Sequence, residues 1–282
     1  MKKKGSTIIL ILIFIAGLGI LAYPKVSDYW NSIHSSRAIM SYAEAVSGLS
    51  EEEYDRLYQE AEAYNRRIPE RSNPFVPTEE EKAEYETILN VENDGVMGYI
   101  EIPLINVALP IYHGTSESVL QVAIGHLDWT SLPVGGESSH AVISGHRGLP
   151  SAELFTRLDR LAKGDRFMIY VLNEVLTYEV DQILIVLPED VSALQIIPGQ
   201  DYCTLVTCTP YGINTHRILV RGRRVETETE HTVRVTSEAI QIEPVLVAPV
   251  IALPLLMVLF AVVSASDRRQ WDEKLEHEED SE

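Results

Sequence analysis

A mainly β domain, with seven or so short strands forming a barrel or a sandwich, is what this 282-residue sequence predicts for its middle. From Gly98 onward, β-rich runs broken by turn residues follow one another: GYIEIP, NVALPIYH, HAVISG, RFMIYVL, LTYEVDQILIV, YCTLVTC and HRILVRGRRV. Alternation such as Thr177-Tyr178-Glu179-Val180-Asp181 marks sheets with one packed face and one wetter face. The third observation is compositional. With 45% hydrophobic residues, 16 Gly and 14 Pro, the chain is too apolar for disorder and too irregular for a coiled coil or collagen.

The elements follow in chain order. Residues 7–22, TIILILIFIAGLGILA, are uncharged and follow Lys2, Lys3 and Lys4, which fits a membrane anchor or a secretory signal. Ile20 stands where a cleavage site before Tyr23 would need a small residue, so retention as an anchor is expected. Residues 37–67, rich in Ala, Glu, Tyr and Leu, read as one or two helices. Ser50 with Glu53 three residues later is a capping box, so a helix restarts there. Pro69, Pro74 and Pro77 then forbid a continuous helix or a central strand, leaving a long loop. Two helical inserts are expected among the strands, at 118–127 and 151–162. A second uncharged run, residues 244–263, is long enough to cross a bilayer, and its prolines are tolerated in membrane helices.

Lysines before the first run and Arg268 and Arg269 after the second put both termini in the cytoplasm and the middle of the chain outside. The expected organisation is an anchor over 1–23, extracellular helices and a loop over 24–78, a β domain over 79–240, a second span over 244–263 and an acidic tail over 264–282.

Charge narrows the partners. Lys and Arg number 23 against 42 Asp and Glu, a formal net charge of -19 that repels phosphates and argues against nucleic acid. A cationic or lysine-bearing partner fits more easily. Two cysteines exclude a disulfide scaffold and a four-cysteine zinc site. Phosphate-binding, serine-hydrolase, zinc-protease and dithiol motifs are missing, which leaves thiols and histidines as carriers of chemistry.

Cys208 ends a strand and precedes the turn Thr209-Pro210-Tyr211-Gly212, a place where reactive groups are displayed. Cys203 lies five residues earlier, an odd separation that points its side chain to the opposite face. Five extended residues span about 16 Å, beyond the roughly 7 Å a disulfide allows between Cα atoms, so the two are not partners. Cys203 reads as a buried small hydrophobe. A thiol nucleophile needs a base or cation beside it and a donor for the oxyanion. Arg217, nine residues after Cys208 and one residue into the next strand, returns beside the thiol if the two strands pair. His146 sits in a glycine-flanked turn, SGHRG. His113, His126, His140 and His216 have no convincing ligand spacing and are expected to be structural; no metal is expected.

Taken together, these segments resemble the sortases, cell-surface transpeptidases of Gram-positive bacteria built on a closed eight-stranded β-barrel. TLVTC at 204–208 is similar to that family's TLxTC nucleophile motif, SGHRG at 144–148 to its histidine motif, and Arg217 in NTHRILVRG to its essential arginine. Within the family the likeness is to class C, the pilin-polymerising sortases: MGYIEIP, LPIYHGT, GHL, SLPVGG, ISGHRGLP, LFTRLD and TLVTCTPYGINTHR occur in that order between residues 97 and 217. The resemblance implies a mainly β barrel with N-terminal helices and two membrane-spanning helices. It implies Cys208 as nucleophile, His146 as general acid and base, Arg217 as aligner and oxyanion donor, and a substrate contact at Thr207. The implied substrates are pilin subunits bearing LPxTG-like signals and acceptor lysines, with no cofactor. A housekeeping sortase acting on peptidoglycan, or an idle membrane-anchored assembly scaffold, are the alternatives. Class C members carry an Asp-Pro-aromatic lid; Asn73-Pro74-Phe75 keeps the ring and loses the charge. A neutral bond to Arg217 is weaker than an ion pair, so this lid is expected to open more readily. SLPVGG at 131–136 resembles a sorting signal only superficially and reads as a turn.

Overall fold

A computed structural model describes residues 2–71 and 73–227. The apolar run at 244–263 and the acidic tail therefore lie outside the described residues. The chain divides between two compact units: one holds the described chain up to Lys25, the other everything described from Val26 onward.

The first 46 helical residues are one element, α1 (Lys2–Ser47), continuous through Pro24. Among the described residues it is the helix long and apolar enough to cross a membrane, and Leu12, Ile13, Phe14 and Ile20 are exposed. The expected restart occurs as read: α2 (Glu51–Arg67) is capped by Ser50, whose hydroxyl accepts from the Glu53 N–H while the Glu53 carboxylate accepts from the Ser50 N–H. The same device starts α3 (Glu79–Tyr85), where Thr78 and Glu81 cap each other. The expected loop over these residues was too long, because the proline count hid this second capping box.

Eight strands close into a barrel in the order β1-β2-β3-β4-β7-β8-β6-β5. They are β1 (Val96–Ile102), β2 (Val107–His113), β3 (Ile124–His126), β4 (Ser139–Ser144), β5 (Arg166–Val171), β6 (Glu174–Val186), β7 (Asp201–Thr209) and β8 (His216–Val225). Pairs β2/β3 and β4/β7 are parallel, and every other neighbour is antiparallel. The interior is filled by alternate side chains, among them Ile100, Ile111, Ile143, Phe167, Tyr178, Leu205 and Val220. Gly222 makes room for two of them: a Cβ there would lie 2.7 Å from both the Phe167 and Tyr178 side chains, which stack at 5.5 Å.

Both expected inserts differ from the sequence reading. In 118–127 only α4 (Glu117–Leu120) is helical, and the rest turns into β3. Residues 123–126 are buried on both faces, so no alternation marks the strand. Gly125 lets the backbones meet, since a Cβ there would come within 2.0 Å of the Gly114 carbonyl. Residues 151–162 hold only a 3-10 turn, Leu158–Arg160. Leu154 takes φ 35°, and the Phe155 N–H donates across to the His146 carbonyl, so an α-helical ladder cannot form.

The helices are fastened to the barrel by polar anchors. The Tyr42 hydroxyl donates to the Met97 carbonyl and accepts from the Leu172 N–H. Asn65 bonds both backbone groups of Leu132, fixing the SLPVGG turn against α2. Tyr85 accepts from the Gly114 N–H and lies 3.0 Å from the Nδ1 of His126.

His126 is fully buried and its Nε2 faces the Ser131 carbonyl at 2.7 Å. Burial pushes its pKa down to about 3, whereas an unfolded imidazole titrates near about 6.5. Between these values the unfolded chain binds a proton the folded chain does not. Stability is therefore full above about pH 6.5 and is lost as pH falls toward about 3. His140, also lowered by burial, acts in the same direction. Urea unfolding of the full chain in detergent is expected to show a midpoint that drops between pH 7 and pH 4, with a flatter dependence in His126→Gln.

Candidate active site

The site is a product of register. In β7, Cys203 and Leu205 belong to the interior while Val206 packs outside, so Cys208 falls on the outer face. Across the antiparallel ladder, Cys208 is the direct partner of Arg217, and directly opposed residues project to the same side with Cβ atoms about 4.5 to 5.5 Å apart. On the other flank, parallel β4 runs in register with β7, ending with Ser144 beside Val206. The Gly145 N–H still donates to the Val206 carbonyl at 3.1 Å. His146 follows immediately, one residue past that bond, on the segment that continues β4 toward the end of β7 that carries Cys208. The structure thus brings the three sequence-predicted residues to one edge of the sheet, each half-buried.

The two thiols differ as read. Both are free; Cys203 is sealed in the core, where burial pushes its thiol pKa up, and Cys208 is accessible. Arg217 uses one terminal nitrogen, which donates to the carbonyls of Asn214 (3.2 Å) and His216 (3.0 Å). Its other nitrogens have no partner among the described residues, so they remain available to a substrate oxygen. Asn214, at φ 60°, shapes the turn that delivers Arg217.

Thr207 departs from the expected substrate contact. Its side chain points inward, is 1% exposed, and donates to the Gly145 carbonyl at 2.7 Å. It braces the histidine segment against β7 instead of meeting a ligand.

Next to the thiol lies an apolar patch on the barrel's outside. Val142, Val206, Leu219 and Leu194 are buried there, with Trp129 and Val186 packed against them. Val206 and Leu219 are the cross-strand pair two residues along the ladder from Cys208 and Arg217, on the same face. Phe75 sets its ring edge-on to Trp129, centroids 5.4 Å apart. The Asn73 side chain accepts from the Phe75 N–H at 3.1 Å, so it closes its own turn. The expected Asn73–Arg217 bond is absent among the described residues: the Asn73 side-chain carbonyl oxygen is taken up by its own turn, and Arg217 Nη1 by the carbonyls of Asn214 and His216.

Arg71 and Trp129 escaped the sequence reading. The Arg71 side chain, 6% exposed, pairs with Glu81 (2.8 Å), donates to the Tyr64 hydroxyl (2.9 Å) and reaches the Trp129 carbonyl (3.4 Å). It ties the 73–76 loop's root to α2, α3 and the patch. Its only sequence signal was a lone arginine among prolines.

None of the remaining histidines gathers a metal set: among the described residues no three His, Cys, Asp or Glu groups do so. His113 contacts the Gly95 and Ile88 carbonyls, and His140 the Gln195 carbonyl and the Thr204 hydroxyl. His216 contacts the Thr215 hydroxyl.

The fold and site define a class: a closed β-barrel displaying an accessible cysteine beside an arginine and a histidine at the ends of three neighbouring strands. A sortase-domain profile matches residues 100–225. Sortase C1 from Streptococcus agalactiae is similar, 51% identical with a TM-score of 0.67 over 68% of this chain and 100% of that one. The sortase C structure from Streptococcus pneumoniae is 45% identical, TM-score 0.61, over 68% and 97%. Sortase D from Bacillus subtilis (strain 168) is 32% identical over 137 residues, 48% of this chain and 66% of that protein. For sortase A of Streptococcus agalactiae serotype III (strain NEM316), 32% identical, the match spans 60% of that protein's length. The chain belongs to the sortase family of cysteine transpeptidases, and its structure is like those of the class C, pilin-type members.

Removing the Arg71 anchor is expected to free the 73–76 loop without unfolding the barrel. Losing bonds to a charged donor costs roughly 1 to 3 kcal/mol locally. Limited proteolysis should therefore cut Arg71→Ala within this loop roughly ten times faster than wild type, and equal rates would show the anchor to be idle.

Proposed function

We propose that this protein is a pilin-polymerising sortase, which cleaves an LPxTG-like signal between Thr and Gly and joins the new acyl group to a lysine amine of another pilin. The observation that carries the reading is the register that makes Cys208 and Arg217 direct partners on the outer face, with His146 one residue past the backbone bond from Gly145 to Val206.

In this mechanism the Cys208 sulfur attacks the Thr carbonyl carbon as the thiol proton passes to His146, and the oxyanion that forms is held by the unengaged donors of Arg217. His146 protonates the departing glycine nitrogen as the C–N bond breaks, leaving a thioester. The lysine amine then attacks the thioester and passes a proton to His146, which returns it to the sulfur as the C–S bond breaks and the Cys208 thiol is restored. Two ordinary acyl transfers replace one difficult amide exchange, with no net oxidation or reduction. The patch of Val142, Val206, Leu219 and Trp129 suits the apolar leucine and proline of the signal, which lie upstream of the scissile bond. Phe75 on Trp129 suits a lid lying over that patch. The lid residues Asn73, Pro74 and Phe75, the anchor at residues 1–23, the domain limits at 78 and 240, and the two-pass topology with an external catalytic unit belong to the same reading. An apolar α1 supports its first span.

The test is covalent. Full-length protein in detergent, incubated with an LPxTG-type peptide, should give an acyl adduct by mass spectrometry. Cys208→Ala should abolish it and Cys203→Ala should retain it. Arg217→Lys, which keeps charge and loses the planar fork, is expected to slow adduct formation roughly 100-fold. An adduct that survives Cys208→Ala would overturn the assignment.

A further inference from the structure

We propose that Arg147 is a positioning residue for this reaction, a clamp that holds His146 level with Cys208. The proposal rests on the sortase reading and deepens it.

The His146–Cys208 pair is bracketed by two side-chain cross-links. One residue before the pair on both strands, the Thr207 hydroxyl donates to the Gly145 carbonyl at 2.7 Å. One residue after it on both strands, Arg147 Nη1 donates to the Thr209 hydroxyl at 3.1 Å. Past Ser144, β4 has no further ladder partners on β7. Beyond the Gly145–Val206 contact, the histidine segment is otherwise held by the 151–160 segment, through the Phe155 N–H to the His146 carbonyl (3.2 Å) and the Gly148 N–H to the Thr156 hydroxyl (3.0 Å), so these two cross-links are what fasten it to β7 itself.

The guanidinium is itself fixed from two more directions. Its Nη2 pairs with Asp159 at 2.5 Å, in the 3-10 turn Leu158–Arg160. Tyr211, in the β7–β8 turn, lies 6.0 Å from the guanidinium carbon, within cation–π range. Gly148, at φ 76°, permits this approach, because a Cβ there would stand 2.9 Å from the Tyr211 ring. Arg147 therefore joins the histidine segment, the residue after the thiol, the 3-10 turn and the β7–β8 turn.

The arrangement is costly for a residue serving stability alone. The Arg147 side chain is only 9% exposed, and its Nε–H is buried with no acceptor. An unpaired buried donor forfeits its hydration, and an apolar side chain of similar length would fill the space without that loss. What an apolar replacement cannot supply is the pair of bonds to Asp159 and Thr209, of which only the second reaches the strand that carries the thiol. A displacement of about 1 Å between reacting groups costs up to roughly 100-fold in rate, so loosening this bond should appear in turnover.

The experiment compares wild type, Arg147→Met, Thr209→Val and the double variant, all full length in detergent. Turnover of an LPxTG-type peptide is expected to fall roughly 10- to 100-fold in kcat for Arg147→Met, and less for Thr209→Val, with KM within about twofold. If Arg147 acts through Thr209, the double variant should be no slower than Arg147→Met. Alkylation of Cys208 by iodoacetamide reports the pairing without any peptide. Its rate in Arg147→Met should move at least threefold from wild type toward that of His146→Ala.

Wild-type kcat and alkylation rate in either variant would overturn the clamp, as would losses that multiply in the double variant or fall only on KM. If Arg147→Met fails to fold, Thr209→Val alone decides by the same readouts. Absence of turnover in wild type would instead sink the sortase reading, and the alkylation rates would still judge the clamp.

Discussion

Everything functional in this molecule depends on β7 being paired in parallel on one side and antiparallel on the other. Parallel pairing makes β4 and β7 end at the same edge of the barrel, and antiparallel pairing makes β8 begin there. A segment distant in sequence and two neighbouring strands then deliver a histidine, a cysteine and an arginine to one edge. A single-residue slip in either ladder would send one of these side chains to the opposite face. The register is guarded by the core: Cys203, Leu205 and Val220 must stay inside for the outer pairs to stay outside.

That dependence explains why a buried cysteine and an accessible one coexist in a single strand. Cys203 is there as volume, sealed among apolar side chains, where its thiol is held in the protonated form. Cys208, five positions on, inherits the other face. The same alternation separates His216 from Arg217, although they are sequence neighbours, and puts Thr207 out of reach of any ligand while leaving its hydroxyl free to grip the histidine segment.

Much of this was legible in the sequence, and the failures have physical causes. Seven strands announced themselves by β-branched runs, and the Ser50 capping box marked a helix start because cap chemistry is local. Strand β3 stayed hidden because it is three residues long and buried on both faces. The segment at 151–162 carries helical spacing in Leu154, Leu158 and Leu161, yet a backbone bond from Phe155 to His146 outweighs propensity. The catalytic candidates were visible because residue type and spacing restrict them strongly. Arg71, Trp129 and Arg147 were not, since their meaning lies in contacts between segments that sequence separation conceals.

The seating of Phe75 on Trp129 has a consequence for how such an enzyme chooses its substrates. On the proposed reading, in which Phe75 belongs to a lid over the patch, every incoming signal would have to displace it. If the open form is about 1% of molecules, apparent affinity is weakened about 100-fold without any loss of intrinsic fit. Freely diffusing chains would then rarely reach the thiol. On the same reading, a substrate tethered in the enzyme's own membrane would meet it at a much higher local concentration and could offset that cost. Selection of partners would rest on where they are held as much as on the residues they present.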